Sequence, residues 1–275
     1  MKKIKLDFLD KCFIEKLNRS EFYKLDFGFD KLKDDHDFYA LIYLATLAGF
    51  SVIDICPKEE FIKLALDAIN DAKEKSFELK INSNLNTLLF SSFGINSFSQ
   101  FSNELICKEI HGVDIHFDEV DFMQNLSNID LICNSFKDKI ISVNLSRKKL
   151  SNAQLIDLLE KFFQYSKRKL IIEAEGMNFY KNGYNKNLQT ISTADIINKQ
   201  FRQKSYKYQY VPLILGNCSN ENLTSFAFNC NVPFNGVSVN YTFFEKFLTK
   251  KSFPYSNKEI KYLLKEIKHI LMGDN

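Results

Sequence analysis

From Phe22 to Leu248 the chain repeats one unit, a short apolar run rich in Ile, Val and Leu followed by an amphipathic stretch. The runs begin near Phe22, Val52, Thr87, Val113, Ile140, Leu170, Val211 and Gly236. Their spacing of roughly 30 residues is that of a strand–helix–strand repeat. About eight such units close a (β/α)8 barrel of the TIM type, whose usual length is about 250 residues. The predicted fold is therefore α/β, a single barrel domain over residues 1–275. An N-terminal extension covers about 1–20 and an amphipathic closing helix about 257–272. A doubly wound open sheet is the rival arrangement; it needs fewer strands or a change of winding direction.

Local signals punctuate the repeat. Asp34 or Asp35 can cap the helix after the first strand, and Gly49 can end it. Pro57 suits the first position of the next helix, and Ser151 is a natural N-cap for SNAQLIDLLEKFFQYSK. A helical pattern runs from about Phe98, and the longest irregular insertion from Met177 to Ser192. Near the end, Ile260, Leu263, Leu264, Ile267 and Leu271 line one helical stripe.

Composition narrows the function classes. The basic start MKKIK is followed by Asp7, Asp10, Lys11, Glu15 and Lys16, which interrupt the apolar core a signal peptide needs. No run approaches the ~18 apolar residues of a membrane span. The expectation is a soluble, cytoplasmic protein with no membrane partner. Cys12, Cys56, Cys107, Cys133, Cys218 and Cys230 stand singly, with no CxxC and no nearby His at zinc spacing. They read as reduced thiols, and no metal site is expected. The net charge of +3 comes mostly from lysine; the arginines are Arg19, Arg147, Arg168 and Arg202. Readers of nucleic acid favour clustered Arg. Only RQKSYKYQY, around Arg202, interleaves basic and aromatic residues, so no nucleic-acid partner is expected.

Strands covered on both faces should be almost continuously apolar. Several here are not. Lys24, Asp26, Asp54, His116, Asn144, Glu173, Glu175, Asn217 and Asn240 fall in or just after the runs. Residues two apart share a face of a strand, so Lys24/Asp26 and Glu173/Glu175 are same-face pairs. If they face inward, charges from different strands converge at the barrel mouth. The candidate catalytic set is Lys24, Asp54, His116, Glu173 and Glu175, with Lys24 and Glu173 as the acid–base groups. The alternative is a set of satisfied ion pairs that only holds the mouth together.

The turns after strands seven and eight form a second constellation. Many barrels hold a phosphate there. Here they read LILGNCSN and VSVNYTFFEKF. Gly216 can allow close backbone approach, and Asn217, Ser219, Tyr241 and Thr242 can donate hydrogen bonds. No cofactor follows from a motif; neither G-x-G-x-x-G nor a Walker sequence occurs. A flavin or a phosphorylated ligand is the compound class such a mouth would hold, and the partner is a small molecule or another protein.

Five segments, in order, resemble the light-dependent period protein (LdpA-like) family of cyanobacteria and their relatives. LIYLATLAGFSVIDICPKEEFIKLALDAI is similar to that family's alanine-rich helix, ALAG and V-D-[IV]-A-x-D-P strand and turn. GVDIHF resembles its strand ending in E-I-H, LIIEAEG its Q-T-D-G strand, and VPLILGNCSNENL its Q-L-A-G-G-T-N segment. GVSVNYTFFEKFL is similar to its closing G-V-A-Y-G-S-Y-A-R-K. LIYLATLAGFSVIDICPKEEFIKLALDAI is also similar to a segment of a small uncharacterised plastid-encoded barrel family. Lys24, Asp54, His116, Glu175, Gly176, Gly216 and Asn220 fall on family-like positions.

The family's ferredoxin-type insert would fall near Ser99–His111, where Cys107 is the lone cysteine. Its iron–sulfur clusters are therefore not carried over. The resemblance implies a ligand-binding or regulatory barrel, linked to redox or clock signalling. The residues themselves also allow a barrel enzyme acting on a small phosphorylated metabolite by acid–base chemistry.

Overall fold

The computed structural model describes residues 11–27, 34–81, 85–95, 108–117, 122–146, 150–166, 169–176, 184–216, 229–242, 247–248 and 253–272. Eight parallel strands close into a barrel in sequence order. They are β1 (Phe22–Asp26), β2 (Val52–Ile55), β3 (Leu88–Gly94), β4 (Gly112–His116), β5 (Ile140–Ser146), β6 (Leu170–Glu175), β7 (Leu213–Leu215) and β8 (Gly236–Asn240). β8 returns to β1 with Gly236 opposite Phe22 and Asn240 opposite Asp26. The open-sheet alternative is excluded.

The helices are α1 (Lys11–Arg19), α2 (Asp35–Ala48), α3 (Glu59–Leu79), α4 (Phe122–Ser135), α5 (Asn152–Tyr165), α6 (Tyr184–Ile196) and α7 (Asn257–Met272). Their ends follow the expected chemistry with two corrections. The Asp34 side chain accepts from the His36 N–H, and Gly49 ends α2 in the left-handed region at φ 90°. Ser151 and Gln154 complete a capping box on α5. Pro57 does not open a helix, because the cap of α3 is Lys58 and the helix starts at Glu59. The irregular stretch expected over Met177–Ser192 is shorter: α6 already runs from Tyr184 and continues into a π-helical turn, Ile197–Arg202. The helix expected from Phe98 lies outside the described residues. On α7, the side chains of Ile260, Leu263, Leu264 and Ile267 are buried, and the helix packs on α2.

The barrel interior divides into two zones. At the N-terminal end, Phe22, Val52, Phe90, Ile140, Ile171 and Ile214 form an apolar plug joined by Phe13 and Leu17 of α1. The Phe13 and Phe22 rings meet edge to face, with centroids 5.0 Å apart. Phe22 is accommodated because β8 offers glycine beside it: a Cβ at Gly236 would lie 2.2 Å from the Phe22 carbonyl oxygen. The helices enclose the barrel with a second, larger apolar cluster.

Asn235 ties the closing strands to α1. Its Oδ1 accepts from the Leu213 N–H at 2.9 Å, and its Nδ2 donates to the Leu17 carbonyl at 3.1 Å. Arg202, buried by the π-helical turn, donates to Asn198 and reaches Asn235. Burial pushes its pKa down to about 10. This arginine of the basic–aromatic stretch is thus part of the packing. Asn235→Ala strands two buried backbone groups and should cost about 2–4 kcal/mol. A lowered urea midpoint with an unchanged slope is the expected readout.

Candidate active site

Strand alternation stacks the inward positions above the apolar plug. Lys24 on β1, Asp54 on β2, Ser92 on β3, Asp114 on β4, Ser142 on β5, Glu173 on β6 and Ser238 on β8 are all buried. The polar half of the interior is therefore the half nearer the C-terminal ends of the strands, where barrels of this type hold their active sites.

Lys24 is the hub. Its ammonium, 1% exposed, lies 2.6 Å from Asp114 Oδ2, 2.9 Å from Glu173 Oε2 and 2.9 Å from Asp54 Oδ2. It donates hydrogen bonds to Asp114 and Glu173. With Asp54 it makes a charge contact without hydrogen-bond direction; neither Asp54 oxygen has a hydrogen-bond partner. Asp114 Oδ2 is shared, because His116 Nε2 reaches it at 3.0 Å. His116 is 19% exposed at its side chain, while Asp114 is fully buried.

Burial and mutual charge push these groups apart. Burial alone would lower the Lys24 pKa, but Asp114, Asp54 and Glu173 outweigh it and hold the ammonium charged well above the ordinary lysine value. Burial likewise opposes ionisation of Asp114; Lys24 and His116 reverse it and keep that carboxylate well below the usual range. Burial also disfavours a charged imidazole, yet Asp114 raises His116 to about 10. Glu173 goes the other way: burial, with Asp114 and Asp26 nearby, lifts it to about 7 against the pull of Lys24. Asp54 is raised well above the usual value, chiefly by burial. One ammonium cannot neutralise three carboxyls, so the proton falls to Glu173 and Asp54 rather than to Asp114.

Of the expected catalytic residues, Lys24, Asp54, Glu173 and His116 meet here. Glu175 sits half-buried at the end of β6 and is not one of the three carboxyls on Lys24. Asp114, which joins His116 to Lys24, was not among the expected residues. The two-residue rule that pairs Glu173 with Glu175 also pairs Asp114 with His116 in GVDIHF, and that signal would have found it.

Gly216, expected to approach a phosphate, directly follows β7 and lies beside Glu173. A Cβ there would lie 2.7 Å from Glu173 Oε1, so the missing side chain leaves room for the glutamate. Tyr241 stacks on Phe27, and the Thr242 N–H donates to Asn240 Oδ1. Asn217 and Ser219 lie outside the described residues.

No protein-family model matches the chain, and no curated protein sequence matches it. Solved structures do. A Rubisco-like protein from Rhodopseudomonas palustris superposes with a TM-score of 0.54 at 9% identity, over 92% of this chain and 64% of that one. Dihydrodipicolinate synthase from Cyanidioschyzon merolae gives 0.52 at 11% identity, over 88% of this chain and 79% of that one. A putative fructose-1,6-bisphosphate aldolase from Coccidioides immitis gives 0.52 at 9% identity, over 94% of each chain. The chain thus spans just under two thirds of the Rubisco-like protein's length. At such identities the likeness establishes a TIM-type barrel and nothing finer.

Proposed function

We propose that the chain is a barrel enzyme that moves a proton on a small, oxygen-rich metabolite held over the C-terminal ends of the strands. Glu173 exchanges the proton, and Lys24 keeps it in place. The observation that carries this reading is the imbalance around Lys24: one buried ammonium set among three buried carboxyls. A barrel interior filled only for stability would be apolar, since each buried ion costs several kcal/mol in lost hydration. Here that cost falls at the end of the barrel where chemistry is done. A glutamic acid near neutrality can both give and take a proton, which is the condition for efficient general acid–base catalysis.

Lys24 has a separate part. An amine nucleophile must be neutral, whereas the carboxyls hold Lys24 charged. It acts as a fixed positive charge beside Glu173, of the kind that stabilises negative charge developing in a transition state. A phosphate on the metabolite would fall to the turns after β7 and β8, where Tyr241 and Thr242 stand.

The test is hydrogen–deuterium exchange in D2O, followed by proton NMR, on a panel of small 2-oxo acids, 2-hydroxy acids and sugar phosphates. The wild type should exchange a carbon-bound proton of at least one compound. Glu173→Gln should slow that exchange by about 100-fold or more. Exchange that survives Glu173→Gln, or a panel that neither binds nor exchanges, contradicts the reading. Membership of the light-dependent period protein family is also a proposal. Its support is the order of the five resembling segments along β2, β4, β6, β7 and β8.

A further inference from the structure

We infer that Asp54, Asp114 and His116 form a binding site for one first-row transition-metal dication, of the Zn2+ or Mn2+ type. The inference rests on the mouth being a working site and names its cofactor. The three residues come from the two strands that flank β3: Asp54 from β2, Asp114 and His116 from β4. One donor atom of each lies within 4.8 Å of the other two. Donors that share a cation at about 2.1 Å in a tetrahedral shell stand about 3.4 Å apart, so side-chain rotations that close the widest pair by about 1.4 Å or less complete the site.

The second observation is independent of that clustering. Asp54 and Asp114 are fully buried, yet Oδ1 of each has no hydrogen-bond partner. Buried polar atoms are ordinarily paired, and exceptions mark strain, catalysis or a missing ion. The three donors of Lys24 face Asp114 Oδ2, Glu173 Oε2 and Asp54 Oδ2, so Oδ1 of Asp54 and of Asp114 is left for a cation from outside the chain, which would displace the protons on Asp54 and His116 as it binds. Two carboxylates with one imidazole suit a transition metal better than the all-oxygen shells of Ca2+ or Mg2+. His116, the partly exposed member, stands on the side from which an ion would enter.

The experiment uses the full chain after chelator treatment, titrated with Mn2+ alone and followed by the loss of the free-ion EPR signal, then with Zn2+ in competition. One ion per chain is expected. Asp54→Asn and His116→Gln should each weaken binding by about 100-fold or more, while His36→Gln, on the exposed start of α2, should leave it unchanged. Circular dichroism checks that each variant is folded; should Asp54→Asn not fold, His116→Gln decides. No Mn2+ or Zn2+ binding at millimolar concentration overturns the site. So does binding that persists undiminished in folded His116→Gln. Deuterium exchange by metal-stripped protein separates the two ideas. If it continues while no metal binds, the acid–base reading stands and the metal site falls. If metal binds with the expected variant losses but no exchange occurs, the metal site stands and the assignment to Glu173 falls.

Discussion

Lys24→Met should lower folding stability by about 3–5 kcal/mol at pH 7, the range seen when one member of a buried ion cluster is removed. The methionine fills much of the same volume, so the loss is electrostatic rather than a cavity effect. Without the ammonium, Asp54, Asp114 and Glu173 face one another inside the barrel with only His116 to oppose them. Each then ionises less readily than in the wild type. The stability deficit should therefore shrink as pH falls below the ordinary carboxylate values, where the carboxyls of the variant and of the unfolded chain become neutral. Urea unfolding of wild type and variant at several pH values measures this. A deficit that stays constant with pH would mean that Lys24 acts through packing.

The wild type itself should lose stability between about pH 4.5 and 7. A carboxyl whose folded pKa is raised keeps a proton that the unfolded chain has already released, so the folded state is penalised as pH rises. For Glu173 the penalty is absent below the ordinary value of 4.5 and complete above about 7. Its size is on the order of 3 kcal/mol. Asp54, also raised, adds to the same trend from its ordinary value upward. His116 continues it: the stability from its raised pKa is full below 6.5 and is lost as pH rises through about 10. Asp114 runs oppositely and costs stability only as pH falls below the usual carboxylate range. Glu173→Gln removes one titrating group and keeps its shape, so it should flatten the slope between 4.5 and 7 and leave the His116 region intact.

The repeat that predicted eight strands placed five of them at their observed first residues, Phe22, Val52, Ile140, Leu170 and Gly236. Such runs are legible because a strand buried on both faces needs uninterrupted apolar residues. The same rule exposed Lys24, Asp54 and Glu173 as intruders. Which intruders meet was not legible, since that depends on the stagger with which the barrel closes; Asp114 became the central acid only through the pairing of β3, β4 and β5. Gly216 was read for its own backbone, but its smallness serves Glu173 on the neighbouring strand. The contacts of Phe13 and Leu17 with the barrel floor, and of Asn235 with α1, join segments distant in sequence. No local pattern announces them.

The ionisation of Glu173 is the quantity on which the proposed chemistry turns. Carbon-13 NMR of the glutamate carboxyls across pH, in wild type and in Glu173→Gln, reads it directly. One carboxyl titrating near 7, and missing from the variant, is the expected result. If every glutamate carboxyl titrates below about 5.5, close to the ordinary range, then Glu173 is an ionised structural partner of Lys24. The barrel mouth would then be held together by its charges and would have no acid at neutral pH to do the proposed work.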